Sequence, residues 1–542
     1  MKRSFKILVF LLIGIPALSH AGGLMTNTNQ SASYIRMPVL DAIIGPEGGY
    51  YNPAGLSFLS DGFYISVSNQ TISQKRTITS TFPGMNRSEF EGTVSAPLFP
   101  SAYATYKQGR FAFSLGVNPN GGGGSALFEE GLPSFEQQVA VLPASLTAGG
   151  IPTSQYSFST HFDAQSLFWG VQGTASYAIN DMISVSAGLR YVTATNTYKG
   201  HLKDIRINPT LPLLGFDGSA MVSAPGFFGT MAGLFGQLAG VAGSLQPIVA
   251  GGGGSLTLSQ AVAGGFITSE QALSIAGGFS LINPDINPAN LNIEQIQGAY
   301  AQATPAFEAQ QTQMLASQAM TTDKEVDVTQ TGSSFAPIFG VHLRFSERLN
   351  VGIKYEHRTP LAVKNQTDQD DLGVYPDGRE TANNLPSMLS VGASFGASDR
   401  LTFHSGIHYY FDKSADYGKV KSWAGGTPTY YDNDEIIDRN FFEAGLGAEY
   451  QVSPMLLVSG AYLRTQTGVN ELYHNDQSHS LSTNTFGAGV KIQFTDMIAL
   501  NLGGLYSQYV SHSKDFTGSF GPYNENYDRT NMVLAVGVDL KL

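Results

Sequence analysis

Apolar and polar residues alternate along most of this chain, and the alternation is broken at intervals by very short polar turns. After Trp169 one unit recurs five times, at 177–191, 343–355, 395–409, 450–462 and 492–506. In each copy two runs of period two meet at Asn, Asp, Glu, Ser or Pro, which predicts an antiparallel hairpin with a tight turn. Period two puts successive side chains on opposite faces of a sheet. Val351, Ile353 and Tyr355 therefore share one face, with Gly352, Lys354 and Glu356 on the other. The last run is the cleanest: Met532, Leu534, Val536, Val538, Leu540 and Leu542 face one way, and Asn531, Asp539 and Lys541 the other.

Strands of this kind are predicted at 62–73, 99–107, 110–118, 166–178, 182–199, 335–345, 349–361, 387–396, 400–411, 441–451, 455–467, 485–494, 497–510 and 531–542. That is fourteen, an even number, as a barrel with both ends on the periplasmic side requires. The fold class expected is an all-β, 14-stranded antiparallel barrel of the outer-membrane type, with one apolar face of each strand toward lipid. Alternate connections are long, at 74–98, 119–165, 200–334, 362–386, 412–440, 468–484 and 511–530, and are assigned to the extracellular side.

The connection 200–334 is too long for an ordinary loop. It contains Gly251 to Gly254, a helix start at Thr268-Ser269-Glu270-Gln271 and an Ala/Gln-rich helical stretch at 292–320, so it predicts a partly helical extracellular cap. Its apolar run 227–242 has a competing reading as a transmembrane helix. The run is shorter than the roughly 20 residues a span needs, and Gly and Gln break it, which favours a lid whose apolar side packs on itself.

Composition adds an address. Lys2, Arg3 and Lys6, an apolar stretch at 7–18, and the small residues Ser19 and Ala21 predict a secretory signal peptide over 1–21, cut before Gly22. No cysteine occurs, which excludes lipoprotein attachment, a disulfide framework and thiolate chemistry. Net charge is −12, and removing the three basic residues of the leader takes it to about −15, so nucleic acid is not an expected partner. Only 13% of residues are charged, and mean hydropathy is near zero, because lipid-facing and lumen-facing residues offset one another.

Between the leader and the first strand, residues 22–61 lack alternation. They contain Pro38, Gly45-Pro46 and Gly48-Gly49, followed by Tyr50-Tyr51-Asn52-Pro53-Ala54-Gly55-Leu56. Asn52 before Pro53 predicts a short helix, with the Asn side chain accepting a backbone hydrogen bond at its start.

With Asn52, Pro53, Ala54, Gly55 and Leu56 in that place, the chain resembles the FadL-type family of outer-membrane transporters for long-chain fatty acids and other hydrophobic compounds, including aromatic hydrocarbons. Leu385-Pro386-Ser387-Met388 is similar to the family's Leu-Pro strand start. The final strand resembles a signal for the barrel assembly machinery, although Leu542 stands where an aromatic residue is commonest. The resemblance implies that 22–61 is a hatch plugging a barrel at 62–542. It also implies passive inward diffusion of an apolar ligand, which lands on the cap, enters the lumen and exits sideways into outer-membrane lipid, bypassing the lipopolysaccharide layer. The large connection 200–334 and the loose match before Tyr50 depart from the family pattern.

Lumen-phase charges are Arg190, Arg344, Lys354, Lys491, Glu356, Glu443 and Glu449. A fatty-acid carboxylate inside would need a cation, and Arg190 and Lys354 are the expected ligand contacts. The competing reading is that these acids and bases pair with each other and hold the hatch. Gly116 and Pro119 are candidates for the strand-three kink that the family associates with lateral opening, or else simply begin a loop.

His404 and His408 share a face but lie about 13 Å apart along a strand, too far for one metal ion. Neither 368–371 nor 432–435 has the Gly and distal Glu of a calcium loop. No nucleophile elbow or phosphate loop is present, so neither an enzyme nor a cofactor is expected. The alternatives are a general porin for hydrophilic solutes, or a surface adhesin or interaction protein built on 200–334.

Overall fold

The computed structural model describes residues 31–122, 125–424, 427–518 and 520–542. The leader and the first hatch residues, 22–30, lie outside the described residues, as do Gly123 and Gly124. Fourteen barrel strands follow the hatch: β1 Gly62–Ser80, β2 Glu89–Gln108, β3 Phe111–Gly122, β4 Tyr156–Ala178, β5 Ile183–Ile207, β6 Lys324–Arg344 and β7 Leu349–Glu356. The second half comprises β8 Met388–Gly396, β9 Leu401–Tyr410, β10 Phe441–Ser453, β11 Leu456–Gln466, β12 Thr483–Thr495, β13 Ile498–Tyr509 and β14 Gly521–Lys541.

Each strand pairs antiparallel with the next, and β1 closes on β14 from Tyr64 opposite Lys541 to Ser80 opposite Glu525. Phe63 and Leu542 exchange both backbone hydrogen bonds, at 3.0 and 2.7 Å. Closure removes the free strand edges that lipid could not hydrogen-bond.

The predicted faces hold. Leu534 is 54% exposed on the outer surface and Val533 beside it is fully buried. Phe111, Phe113, Leu115 and Val117 are likewise exposed along β3. An apolar exterior of this extent on a closed barrel is the lipid-facing band of a multi-pass outer-membrane protein.

Several strands outrun their predicted ends: β2 starts at Glu89 instead of 99, β5 reaches Ile207 and β14 starts at Gly521. Nine to eleven residues suffice to cross a bilayer. Beyond that height both faces are solvated, so the apolar alternation fades while the hydrogen-bond ladder continues. The reverse correction applies to β7, which stops at Glu356 rather than 361, short of Pro360.

The cap lies between β5 and β6. Its helices are α4 Ala224–Ala250, α5 Leu258–Ala263, α6 Ser269–Ile282 and α7 Ile293–Thr321, after the hatch helices α1 Ala32–Arg36 and α2 Gly48–Tyr51 and a surface helix α3 Pro133–Ala148. Capping boxes at Thr268 with Gln271 and at Asn292 with Gln295 start α6 and α7. Phe227, Phe228, Phe235 and Leu238 of α4 pack with Ile296, Tyr300, Phe307 and Met314 of α7 in one apolar core. The run 227–242 thus belongs to a lid helix, and no described helix is long and apolar enough to cross a membrane. Helix α3, with Pro143 inside it, was not expected within 119–165.

One of the long connections does not project away from the barrel. Between β11 and β12 the chain folds back into the barrel mouth, burying Tyr473, His474, Asp476, Ser478 and His479. Asp476 accepts the backbone N–H of Ser134 at 2.8 Å, which satisfies an orphan donor in the first turn of α3.

Candidate functional site

From Ser31 to Asp61 the chain fills the lumen, and charged groups tie it to the wall at three places. Arg36 at the end of α1 donates to Glu449 Oε1 (2.5 Å), Asn501 Oδ1 (3.2 Å) and Ser459 Oγ (2.9 Å), while His404 approaches Glu449 from the other side at 3.1 Å. Asp41 meets His408 Nε2 at 2.8 Å, and His408 Nδ1 lies 2.8 Å from Glu443. The His408 ring thus bridges a hatch carboxylate and a wall carboxylate, one at each nitrogen. The third tie is the Tyr50 carbonyl, which accepts from Lys354 Nζ at 2.9 Å.

Arg190 and Lys354 sit at that third tie. Glu356 takes Arg190 through Nη1 at 2.6 Å and Nη2 at 3.1 Å, and Lys354 at 2.7 Å. Both cations lie over the Tyr50 ring, 4.7 and 4.6 Å from its centroid. Gln172 accepts from Arg190 and donates to the hatch carbonyl of Gly49 at 2.7 Å. Of the other lumen charges, Lys491 meets Asp539 at 3.4 Å, and Arg344 stacks on Phe58.

The five-residue motif explains itself position by position. Pro53 opens a 3-10 turn, Pro53–Phe58, whose carbonyls at Pro53 and Ala54 accept from Ser176 and Ser184 of the wall. Ala54 is small because Gly340 lies against it, and Leu56 is fully buried. Asn52 does not cap as expected: its side chain makes no cap bond and instead donates to Ile43 O (2.9 Å) and contacts His342 Nδ1 (2.7 Å). Gly55 makes room for that turned amide, since a Cβ there would lie 2.5 Å from Asn52 Nδ2. Asn52→Ala is expected to weaken hatch docking by about 1–3 kcal/mol by leaving buried acceptors unmet. Limited proteolysis should then clip the hatch faster than in the parent, and equal clipping rates would count against this role.

Glycine on the wall sets where the hatch can lie. Cβ atoms at Gly352, Gly392 and Gly406, on three successive strands, would fall 2.0, 2.5 and 2.1 Å from atoms of Asp41. The sequence reading assigned no role to these positions or to Arg36 and Asp41. A lumen-phase glycine in each of three consecutive strands, which the register sets in one row, was the available signal.

The wall itself is interrupted at one place. β2 pairs with β3 from Ala102 to Gln108, then with the short strand Ser125–Phe128 from Thr93 to Ser95. Among the described residues, 96–101 have no β3-side ladder partner. β3 parts from β2 after Val117 but stays paired to β4, with a bulge between Pro119 and Gly121. On its other side β2 bulges against β1 between Gln70 and Ile72. Pro97, Pro100 and Pro119 lack the donors a ladder would need, so the break leaves fewer unmet N–H groups. Leu98 stands 77% exposed at this gap. Gly116 lies just below, where a Cβ would come 2.8 Å from the Tyr103 ring that separates the gap from the hatch. The structure thus brings Gly116 and Pro119 to the edges of the gap.

The fold and this site define a class: an outer-membrane β-barrel closed by its own N-terminal hatch, with a break in the wall beside it. That fold is the one shared by FadL-type transporters. A FadL homologue of Pseudomonas aeruginosa aligns over 96% of this chain and 99% of its own, at 11% identity and a TM-score of 0.55. The toluene transporter TodX of P. putida aligns over 95% and 99%, at 10% identity and a TM-score of 0.52. No protein-family model and no curated protein matches the sequence.

Proposed function

We propose that the protein carries hydrophobic compounds, long-chain fatty acids foremost, inward across the outer membrane by passive diffusion. The ligand is captured at the helical cap and leaves through the gap between β2 and β3 once the hatch shifts. The observation that carries this reading is a lumen closed by a polar-tethered hatch beside a wall that is open between residues 96–101 and 118–122. A route into lipid suits an apolar ligand, whereas a water-filled pore does not. The fold shared with a protein named as a toluene transporter supports the same class of cargo. Arg190 and Lys354 become available to a ligand carboxylate when Tyr50 withdraws from them, which would couple the arrival of cargo to hatch displacement. Around the hatch, the charges that a general porin would present to water are paired with each other or with the hatch, which weighs against that alternative.

A disulfide tests the need for hatch movement. A Cβ at Gly340 would lie 3.5 Å from Ala54 Cβ, within the range for a bridge, and the chain has no other cysteine. Ala54→Cys/Gly340→Cys also requires the Ser186 hydroxyl to rotate away. When oxidised, this variant should lose uptake of labelled oleate to the level of cells lacking the protein, and reduction should restore it. Undiminished uptake by the oxidised form would refute hatch-gated exit. Sugar leakage through the parent, without oleate uptake, would replace transport of apolar cargo with the porin.

A further inference from the structure

The seam between the first and last strands holds charges that the hatch does not use. Arg76 of β1 and Arg529 of β14 stand directly opposite each other. They share the lumen phase of Ile78 with Tyr527, the row above, and of Gln74 with Asn531, the row below, with Ile72 and Val533 one row farther on. Side chains so opposed have Cβ atoms about 4.5–5.5 Å apart, and like charges there repel. Among the described residues neither guanidinium meets a carboxylate. Arg76 Nε donates to Gln74 at 2.8 Å, and Arg529 lies over the Tyr509 ring at 5.1 Å. Arg529 Nε is buried with no hydrogen-bond partner.

A third group joins them from the loop folded into the mouth. His479 is only 3% exposed, its ring stacks on Tyr527 at 5.0 Å, and its Nε2 has no partner. Burial, then the charges of Arg529 and Arg76, hold its imidazole well below the usual histidine range. The acids of this region are engaged elsewhere: Glu525 with Tyr527 and Gln137, and Asp476 with Ser134.

An apolar wall flanks the cluster toward the mouth, and a second lies beyond the polar row of Gln74 and Asn531 on the hatch side. Toward the mouth lie Ile78, Phe90, Phe128 and Leu481; toward the hatch, Ile72 and Val533. The Phe128 ring lies over Gly92, the residue opposite Arg76 on β2. Two uncompensated guanidiniums between apolar surfaces match a ligand with one anionic head and a hydrocarbon chain, and suit neither a neutral hydrocarbon nor a polyanion. The bulge between Gln70 and Ile72, on the same strand as Arg76, leads to the wall gap.

We propose that Arg76 and Arg529, covered by the neutral ring of His479, form a docking site for the carboxylate of a long-chain amphipathic acid, a relay between the mouth and the wall gap. This deepens the transport reading and rests on it. The test uses the purified full-length protein with oleate, oleyl alcohol and toluene as probes. Arg76→Gln/Arg529→Gln removes a repulsion, so the barrel should keep its heat-modifiable gel mobility. Oleate affinity should fall at least about tenfold, the scale of a lost charge-assisted contact. Oleyl alcohol and toluene should be unaffected, and Arg76→Lys/Arg529→Lys should retain most oleate binding.

The assignment is overturned if the Gln variant weakens oleate no more than oleyl alcohol, if the parent does not bind oleate, or if acetate and inorganic phosphate displace oleate at comparable concentrations. Uptake by cells separates the two readings. A parent that takes up oleyl alcohol while the oleate arm fails loses only this site, and a parent that takes up neither loses the transport function as well.

Discussion

Glu356→Ala is expected to lower the unfolding free energy of the barrel by about 3–5 kcal/mol, the cost of leaving buried cations without their counter-charge. Among the described residues Glu356 is the one carboxylate shared by Arg190 and Lys354, and all three side chains are nearly inaccessible to solvent. The loss should show as earlier urea unfolding of the folded barrel, followed by gel mobility or tryptophan fluorescence. Function should change with it. Without Glu356 the two cations repel, and both sit over the Tyr50 ring that anchors the hatch. Hatch release and uptake of small hydrophilic solutes should therefore rise together. Replacing the whole group at once, as Glu356→Leu/Arg190→Leu/Lys354→Met, should recover much of the stability, because no charge is then stranded. A Glu356→Ala barrel as stable as the parent would show that these cations find water or another acceptor.

How much of this was legible in the sequence depended on how local each signal was. Val351, Ile353 and Tyr355 face lipid because period two alone decides it, and the same logic located all fourteen strands. Capping residues Thr268 and Asn292 announced their helices for an equally local reason. The pairing of Glu356 with Arg190 joins residues on non-adjacent strands, and that of Asp41 with His408 joins hatch to wall, so barrel closure and hatch placement had to be known first. Asn52 shows the limit within one motif. Its place before Pro53 was readable as a helix start, but its amide turns instead to Ile43 and His342, a choice made by the packing of the hatch against β6. The inward fold of 467–482 carried no local signal at all, since its Asn, Asp, Ser and His residues are those of a solvated loop.

Gly352→Val should separate hatch docking from barrel folding more sharply than any charge change. A Cβ at Gly352 would lie 2.0 Å from the Asp41 carbonyl oxygen, a backbone atom that cannot rotate away, so the clash falls on the course of the hatch. The wall has no reason to object, because valine is a better strand residue than glycine and the lipid face is untouched. The expected product is a folded barrel with normal gel mobility whose hatch is displaced. Asp41 would then part from His408, leaving His408 with Glu443 alone. In planar bilayers this variant should pass steady ionic current where the parent is closed, and cells carrying it should become sensitive to hydrophilic antibiotics. Val351→Ala, one residue away but facing lipid, should remain closed. If Gly352→Val conducts no more than the parent, the lumen is sealed by something other than the hatch, and the inward-folded loop at 467–482 becomes the element to remove next.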